Sequence, residues 1–199
     1  MEQYDIKNIL LEVDDKRDNR GTTSHKFKRE LLEFFDKIQL NNCIEVGTAS
    51  GHTTRILSYL FNEVVTIELN ENEIRSAQAL NKDCTNIEYL HGNAYETDWA
   101  LDKTFDVAFI DCVHQYDFVK SDFTKCYELG VQYFVFDDYG LNEQLPSVKV
   151  FVDEMVDNGT LEIIKFIGEF TGTKLWKKYN REDALIDWEG VICKRKSNV

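Results

Sequence analysis

The chain has 199 residues, 43% of them hydrophobic, which supports a folded core and excludes a wholly disordered protein. No apolar run approaches the length of a membrane-spanning segment, and the charged N-terminus does not resemble a signal peptide, so we expect one cytoplasmic domain over residues 1–199. The formal net charge of −13 would repel a nucleic acid, so we expect a small-molecule partner and neither a nucleic-acid nor a membrane partner.

Strand-like and helix-like apolar patterns alternate along most of the chain. Residues 1–24 carry many charges and little periodicity, and we expect an N-terminal arm or lid there. Thr23 and Ser24 are typical caps for the helix that follows. The pattern then predicts strands at 43–46, 64–68, 87–91, 105–110, 131–136, 161–167 and 188–193, and helices at 51–61, at 71–82, before Gly130, and from Pro146 to Gly159.

This alternation predicts an α/β fold with a mostly parallel sheet of seven strands and helices on both faces. The last two strands have no clear helix between them, which predicts an antiparallel last strand at the C-terminal edge. In open sheets of this kind the ligand binds beyond the carboxyl ends of the strands. Residues that end the predicted strands are therefore the candidate functional residues.

A glycine-rich turn follows the first predicted strand in the stretch IEVGTASGHTT, residues 44–54. From Gly47 onward its spacing is G-x-A-x-G. The third glycine of the dinucleotide pattern G-x-G-x-x-G would fall on His52, whose side chain prevents close packing of helix and strand. No lysine of the P-loop pattern follows. The turn therefore disfavours a nicotinamide-dependent oxidoreductase and excludes a P-loop enzyme.

Glu68 ends the second predicted strand, about 20 residues after the turn. A carboxylate at this position can accept hydrogen bonds from both hydroxyls of a ribose. The alternative is a solvated charge in a loop. Its position at a strand end favours the ribose interpretation.

Two later segments complete a recognisable order of motifs. Glu45-x-Gly47-x-x-x-Gly51 and Glu68 are followed by FDVAFIDCVHQYDFVKSDF and YFVFDDYG. This order resembles the class I S-adenosylmethionine-dependent methyltransferases. Within that class it is similar to the metal-dependent sugar O-methyltransferases of macrolide and aminocoumarin biosynthesis, which carry IDG-x-H-x-Y and DDY. The resemblance covers about residues 25–167 and implies a Rossmann-like sheet of seven strands with an antiparallel last strand.

The resemblance also implies how the cofactor would be held. Glu68 would bind the ribose, and the segment from Gly92 to Ala94 would contact the adenine. Asn93 departs from the family, which usually has an acid there, and Cys112 replaces a family glycine. The implied S-adenosylmethionine-binding residues are Glu45, Gly47, Thr48, Ala49, Ser50, Gly51, Glu68, Asn93, Ala94 and Asp111.

Three aspartates end two neighbouring predicted strands, Asp111 the fourth and Asp137 and Asp138 the fifth. In the sugar O-methyltransferases, acids at these positions bind Mg²⁺. Independently of the resemblance, clustered carboxylates repel each other unless a cation or protonation intervenes, and carboxylate oxygens suit Mg²⁺. We therefore expect Asp111, Asp137 and Asp138 to be metal ligands.

His114 follows Asp111 by three residues. It either accepts or orients a proton beside the substrate, or it only caps the next helix. The expected reaction is a transfer in which Mg²⁺ lowers the pKa of a substrate hydroxyl and Asp111 or His114 takes its proton. The residues expected to be catalytic are therefore Asp111 and His114.

The sequence as a whole predicts a magnesium-dependent O-methyltransferase that acts on a hydroxyl of a small molecule such as a sugar or phenol. One alternative is a metal-independent O- or N-methyltransferase in which the aspartates form a hydrogen-bond network. Another is a catalytically inactive cofactor-binding protein, against which the clustered carboxylates argue. The sequence is compatible with a homo-oligomer as well as with a monomer.

Overall fold

Strands and helices alternate in the computed structural model, which describes residues 5–16, 21–96, 99, 101–140, 148–169 and 188–196. The helices are α1 (Ile6–Leu10), α2 (His25–Phe35), α3 (His52–Leu60), α4 (Glu71–Leu80), α5 (Tyr116–Glu128) and α6 (Val148–Asp157). The strands are β1 (Asn42–Val46), β2 (Glu63–Glu68), β3 (Ile87–His91), β4 (Val107–Ile110), β5 (Tyr133–Phe136), β6 (Leu161–Ile167) and β7 (Gly190–Arg195). Pro146, predicted to open the sixth helix, lies outside the described residues.

The seven strands form one sheet in the order β3-β2-β1-β4-β5-β7-β6. Strands β1 to β5 pair in parallel, and β7 is antiparallel to both β5 and β6. The predicted α/β fold with an antiparallel last strand is thus confirmed. The expected position of that strand at the edge is wrong, because β7 lies inside the sheet and β6 forms the edge.

Burial explains why β7 takes the inner position. Val191, Ile192 and Cys193 are all fully buried, so this strand is apolar on both faces and requires cover on both. In β6 the burial alternates, and Ile164 remains 42% exposed. A strand with one partly solvated face is suited to the edge of a sheet.

Apolar layers cover both faces of the sheet. Successive residues of β4 point to opposite layers: Val107 and Phe109 to one, Ala108 and Ile110 to the other. The first layer includes side chains of α2 and α3, and the second includes side chains of α5 and α6. Strands buried on both faces read as continuous apolar runs, which is why the sequence reveals them. No helix within the described ranges is long and apolar enough to cross a membrane.

The N-terminal segment packs against the body of the protein over residues 5–16. Asp5 caps α1 by accepting a hydrogen bond from the Lys7 N–H. Buried Ile9, Leu10 and Val13 form a third apolar cluster with side chains of α2 and α3. Sequence analysis missed α1, because its five residues are too few to show helical periodicity.

Two adjacent leucines test whether this packing stabilises the fold. Leu10 is 5% exposed and Leu11 is 83% exposed. Leu10→Ala should lower the free energy of unfolding by about 2–4 kcal/mol, since it removes buried methyl groups and leaves a cavity. Leu11→Ala should change it by less than about 0.5 kcal/mol. Urea denaturation measures both changes. If Leu10→Ala lowers the free energy of unfolding as little as Leu11→Ala, the segment does not contribute to the folded core.

Candidate active site

The ends of β1, β2, β4 and β5 meet at one edge of the sheet. The Gly47 N–H donates to Ile67 O at 3.0 Å, and the Asp111 N–H donates to Val46 O at 2.9 Å. The Asp137 N–H donates to Ile110 O at 3.2 Å. These bonds continue the ladder by one residue past each strand. They place the first residues after β1, β4 and β5 side by side.

The turn after β1 lies directly against the end of β4. Gly47 has a φ of +96°, and a Cβ there would lie 2.1 Å from Asp111 O. A side chain is therefore excluded by contact with a backbone atom as well as by conformation. The close approach leaves the Gly47 backbone open to a ligand at the strand ends.

Glu68 ties the β1 turn to the end of β2. Its Oε2 accepts a hydrogen bond from the Ala49 N–H at 3.0 Å, and its Oε1 accepts one from the Asn70 N–H at 2.8 Å. Ala49 has a φ of 44°, a conformation uncommon for residues other than glycine. The carboxylate thus stabilises the turn while it also lines the pocket described below.

Glu45 lies beneath the turn and does not line that pocket. It is fully buried, and its Oε2 accepts hydrogen bonds at 2.6 Å from the hydroxyls of Thr54 and Thr66. The Thr48 hydroxyl lies 2.6 Å from that of Thr66. Burial raises the pKa of Glu45 to about 8. Glu45 and Thr48 therefore brace the turn from inside, while Ser50 remains half-buried at its surface.

An open pocket of about 440 Å³ lies beyond the ends of β1, β2, β3 and β4. Its lining includes four of the predicted cofactor residues: Gly47, Glu68, Asn93 and Ala94. Cys112 and Val113 form the side next to β4. The rings of Tyr95 and Phe118 also line it, with centroids 4.6 Å apart. A concave pocket with apolar and aromatic walls and a carboxylate suits a flat base joined to a ribose.

Asp122 of α5 also lines this pocket, and sequence analysis missed it. The residue is 2% exposed, and its Oδ1 is buried without a hydrogen-bond partner among the described residues. Burial raises its pKa to about 7. An unpaired buried acceptor near Asn93 and Ala94 fits a ligand with an amino group. The available signal was an acid on the inward stripe that Val119 and Cys126 define.

His114 lies between two of the predicted metal ligands. Its Nε2 is 3.2 Å from Asp111 Oδ1, and its Nδ1 is 3.0 Å from Asp138 Oδ2. Partial burial opposes protonation, but the carboxylates of Asp138 and Asp111 outweigh it and raise the pKa of His114 well above its usual value. Asp138 has a φ of 51°, a rare conformation of the kind that occurs at functional sites.

Lys16 and Glu189, which sequence analysis did not select, complete the acid cluster. The Lys16 Nζ lies 3.0 Å from Asp138 Oδ1, 3.2 Å from Glu189 Oε1 and 3.7 Å from Asp137 Oδ2. Lys16 and Glu189 are 3% and 0% exposed. Lys16 stands in a charged run that showed no pattern. Glu189 was detectable only as an acid at the start of an apolar strand.

The pKa values of the cluster follow from burial and from these contacts. Burial raises the pKa of Asp137 well above its usual value, although Lys16 acts in the opposite direction. Burial also acts to raise the pKa of Asp138, but the positive charges of Lys16 and His114 outweigh burial and lower the pKa of this carboxyl below its usual value. Burial opposes the charge on Lys16, yet the surrounding carboxylates raise its pKa. The cluster thus pairs the charged Lys16, His114 and Asp138, whereas burial favours the protonated form of Asp137.

The carboxylates of the three predicted metal ligands face the side chains of Lys16 and His114. Asp138 is directed at Lys16 and His114, Asp111 at His114, and Asp137 towards Lys16. The part of the chain that the structure describes contains no group of three His, Cys, Asp or Glu residues arranged to hold a metal ion. This arrangement does not fit Mg²⁺, because a lysine ammonium lies where the carboxylates face each other.

Comparison with known proteins supports an enzyme at this edge. One family model, described as a methyltransferase domain, matches residues 44–139, which run from β1 to just past β5. Among curated proteins, none matches this sequence. The matched segment contains the glycine turn, Glu68, His114 and the three aspartates.

Solved structures with the same fold act on different acceptors. The O-methyltransferase TomG from Streptomyces achromogenes, involved in tomaymycin synthesis and solved with S-adenosylmethionine, has a TM-score of 0.64 and 17% identity over 99% of this chain and 92% of that chain. The tRNA (m1A58) methyltransferase TrmI from Aquifex aeolicus has a TM-score of 0.62 and 18% identity over 99% of this chain and 78% of that chain. The N-methyltransferase NodS from Bradyrhizobium japonicum has a TM-score of 0.60 and 12% identity over 86% of this chain and 97% of that chain. At these identities the likeness shows the fold alone.

The family match and the fold agree with each other. The family match confirms the predicted methyltransferase, and the fold is shared with a methyltransferase that was solved with S-adenosylmethionine. The narrower resemblance to the sugar O-methyltransferases remains a prediction, as do the functions of the individual site residues.

Two glycines with similar backbones test the close approach at the β1 turn. Gly47 and Gly159 have φ values of +96° and +81°, but a Cβ at Gly159 would meet nothing within 4 Å. Gly159→Ala should therefore cost only backbone strain, about 1–2 kcal/mol of unfolding free energy. Gly47→Ala should cost clearly more, since its Cβ meets the Asp111 carbonyl. Thermal or urea unfolding compares them, and equal losses would contradict the contact.

Proposed function

We propose that the protein transfers the methyl group of S-adenosylmethionine to a hydroxyl oxygen of a small molecule. The observation that carries this proposal is the position of His114 relative to the pocket. Cys112 and Val113 line the pocket, and Asp111 and His114 flank these two residues along the chain. The Asp111–His114 pair thus lies next to the pocket.

The pocket residues would hold the cofactor through groups that are already in place. Each Glu68 oxygen accepts one backbone hydrogen bond and retains capacity for another, which suits two ribose hydroxyls. The Gly47 backbone would lie against the methionine part. Asp122 would accept a hydrogen bond from the adenine amino group, and so supply the acid that Asn93 does not.

S-adenosylmethionine supplies an electrophilic methyl group on a sulfonium. The protein has to hold the acceptor oxygen in line with that group and remove its proton. Asp111 and His114 form a hydrogen-bonded pair, in which the imidazole orients the Asp111 carboxylate that takes the proton. Asp138 holds the other ring nitrogen of His114 and fixes the orientation of the ring. Nucleophile activation through this pair does not require Mg²⁺.

The charge of the protein supports a small acceptor. A formal net charge of −13 is unfavourable for a polyanion such as tRNA, the substrate of one structural neighbour. Hydroxyl groups of a sugar or phenol carry no such penalty. The histidine–carboxylate pair suits an oxygen acceptor, because a hydroxyl must lose its proton as it is methylated.

Binding of S-adenosylhomocysteine, followed by isothermal titration calorimetry, tests the cofactor part of the proposal. Glu68→Ala should weaken binding by about 1–3 kcal/mol, because two ribose hydroxyls lose their acceptor. The matched control is Glu71→Ala, which removes an exposed carboxylate from the nearby start of α4. Binding of NAD by the wild type with no response to S-adenosylhomocysteine would rule out the cofactor assignment.

Transfer of a radiolabelled methyl group to a panel of hydroxylated sugars and phenols tests the base. His114→Asn should lower turnover by about a hundredfold or more while S-adenosylhomocysteine still binds, because Asp111 loses the imidazole that orients it. His91→Asn changes a histidine outside the acid cluster and should leave turnover near the wild-type value. Full turnover in His114→Asn would show that Asp111 takes the proton without the histidine.

A further inference from the structure

More acid is buried at the ends of β4 and β5 than His114 can neutralise. Asp137, Asp138 and Glu189 are 3%, 7% and 0% exposed. They come from two separate parts of the chain, the end of β5 and the start of β7. Buried carboxylates require a counter-charge, protonation or a metal ion. Lys16 supplies a positive charge within 4 Å of all three.

Lys16 reaches this position through an anchored segment. The Asp14 N–H donates to His52 Nδ1 at 3.1 Å, and His25 Nε2 lies 2.9 Å from Val13 O. The Lys28 Nζ donates to Asp14 O at 3.0 Å. Contacts to α2 and α3 thus hold the two residues that precede Asp15 and Lys16. The lysine is therefore delivered by the fold itself, with its ammonium group inside the acid cluster.

Asp138 connects the lysine to His114. Its Oδ1 accepts from Lys16 Nζ at 3.0 Å, and its Oδ2 lies 3.0 Å from His114 Nδ1. One carboxylate therefore bridges the two cations, and the far nitrogen of the imidazole faces Asp111. Loss of the Lys16 ammonium group would remove the hydrogen bond that fixes Asp138 Oδ1, and the His114 ring would lose a fixed partner for its Nδ1.

We propose that the Lys16 ammonium group takes the position that a divalent cation would take between these carboxylates, and that it positions Asp138 against His114. The protein is then a methyltransferase without a metal requirement. An ammonium group satisfies the charge of the acids and donates hydrogen bonds to them. It does not coordinate a substrate hydroxyl as a Lewis acid does, so activation of the acceptor is left to the Asp111–His114 pair.

The activity part of this inference rests on the proposed methyl transfer, whereas its metal part can be tested alone. Mn²⁺ is the probe, because carboxylate sites bind it and its binding removes the six-line electron paramagnetic resonance signal of the free ion. The variants are Lys16→Ala, Lys16→Met, Lys16→Arg and, as a control, Lys7→Ala on the same segment. S-adenosylhomocysteine binding and circular dichroism are measured on every variant.

The wild type and Lys7→Ala should leave the Mn²⁺ signal unchanged. Lys16→Ala should bind Mn²⁺ at least about tenfold more tightly, since Asp137, Asp138 and Glu189 lose their cation and become available as ligands. Lys16→Arg keeps the positive charge and should not gain Mn²⁺ binding. This gain of affinity distinguishes a cation substitute from a residue that only contributes to packing.

Methyl transfer provides the second measurement. The wild type should be as active in excess chelator as without it. Lys16→Met should lose about a hundredfold in turnover through misorientation of His114, while its affinity for S-adenosylhomocysteine stays within about twofold. Lys16→Arg should recover part of the turnover.

Two results would overturn the inference. One is a wild type that binds Mn²⁺ and loses methyl transfer when the ion is chelated. The other is a folded Lys16→Ala protein that gains no Mn²⁺ binding and keeps full turnover. If Lys16→Ala does not fold, the wild-type measurements with Mn²⁺ and chelator still decide. Failure of the proposed function itself would appear separately, as a wild type that does not bind S-adenosylhomocysteine.

Discussion

Charge compensation among buried acids governs the candidate active site. Asp137, Asp138 and Glu189 lie almost entirely out of solvent, where an isolated carboxylate would be strongly destabilised. The Lys16 ammonium group and the His114 imidazole face these acids. Burial raises the pKa of Asp137 and so favours its protonated form. Contacts that appear as separate ion pairs are therefore parts of one network. That network joins the N-terminal segment, the end of β5 and the start of β7.

The parallel sheet places the pocket and the acid cluster at neighbouring strand ends. The ends of β1, β2 and β3 provide the turn, Glu68 and the lining of the pocket. The ends of β4 and β5 provide Asp111, His114 and Asp138, one strand further along the same edge. Because parallel strands end at the same edge, the two halves adjoin without any long connection. Gly47, packed on the Asp111 carbonyl, is the point where they touch.

The structural neighbours place this division in context. They share the sheet, but they include an O-methyltransferase, a tRNA methyltransferase and an N-methyltransferase. The shared sheet therefore does not determine the acceptor. In this chain the acid cluster beside the ends of β4 and β5 contains Lys16, which the N-terminal segment provides.

The sequence by itself determined the alternation of strands and helices, the antiparallel last strand and the residues at the strand ends, because these depend on local periodicity and on spacing along the chain. Gly47, Glu68, Asn93 and Ala94 meet at one pocket because parallel strands share an edge. Only the tertiary structure decided the inner position of β7, the unpaired carboxylate of Asp122 and the use of the three aspartates. The counter-charge of Asp137 and Asp138 comes from Lys16, which precedes Asp138 by 122 residues, and no local pattern records a contact between residues so far apart in sequence.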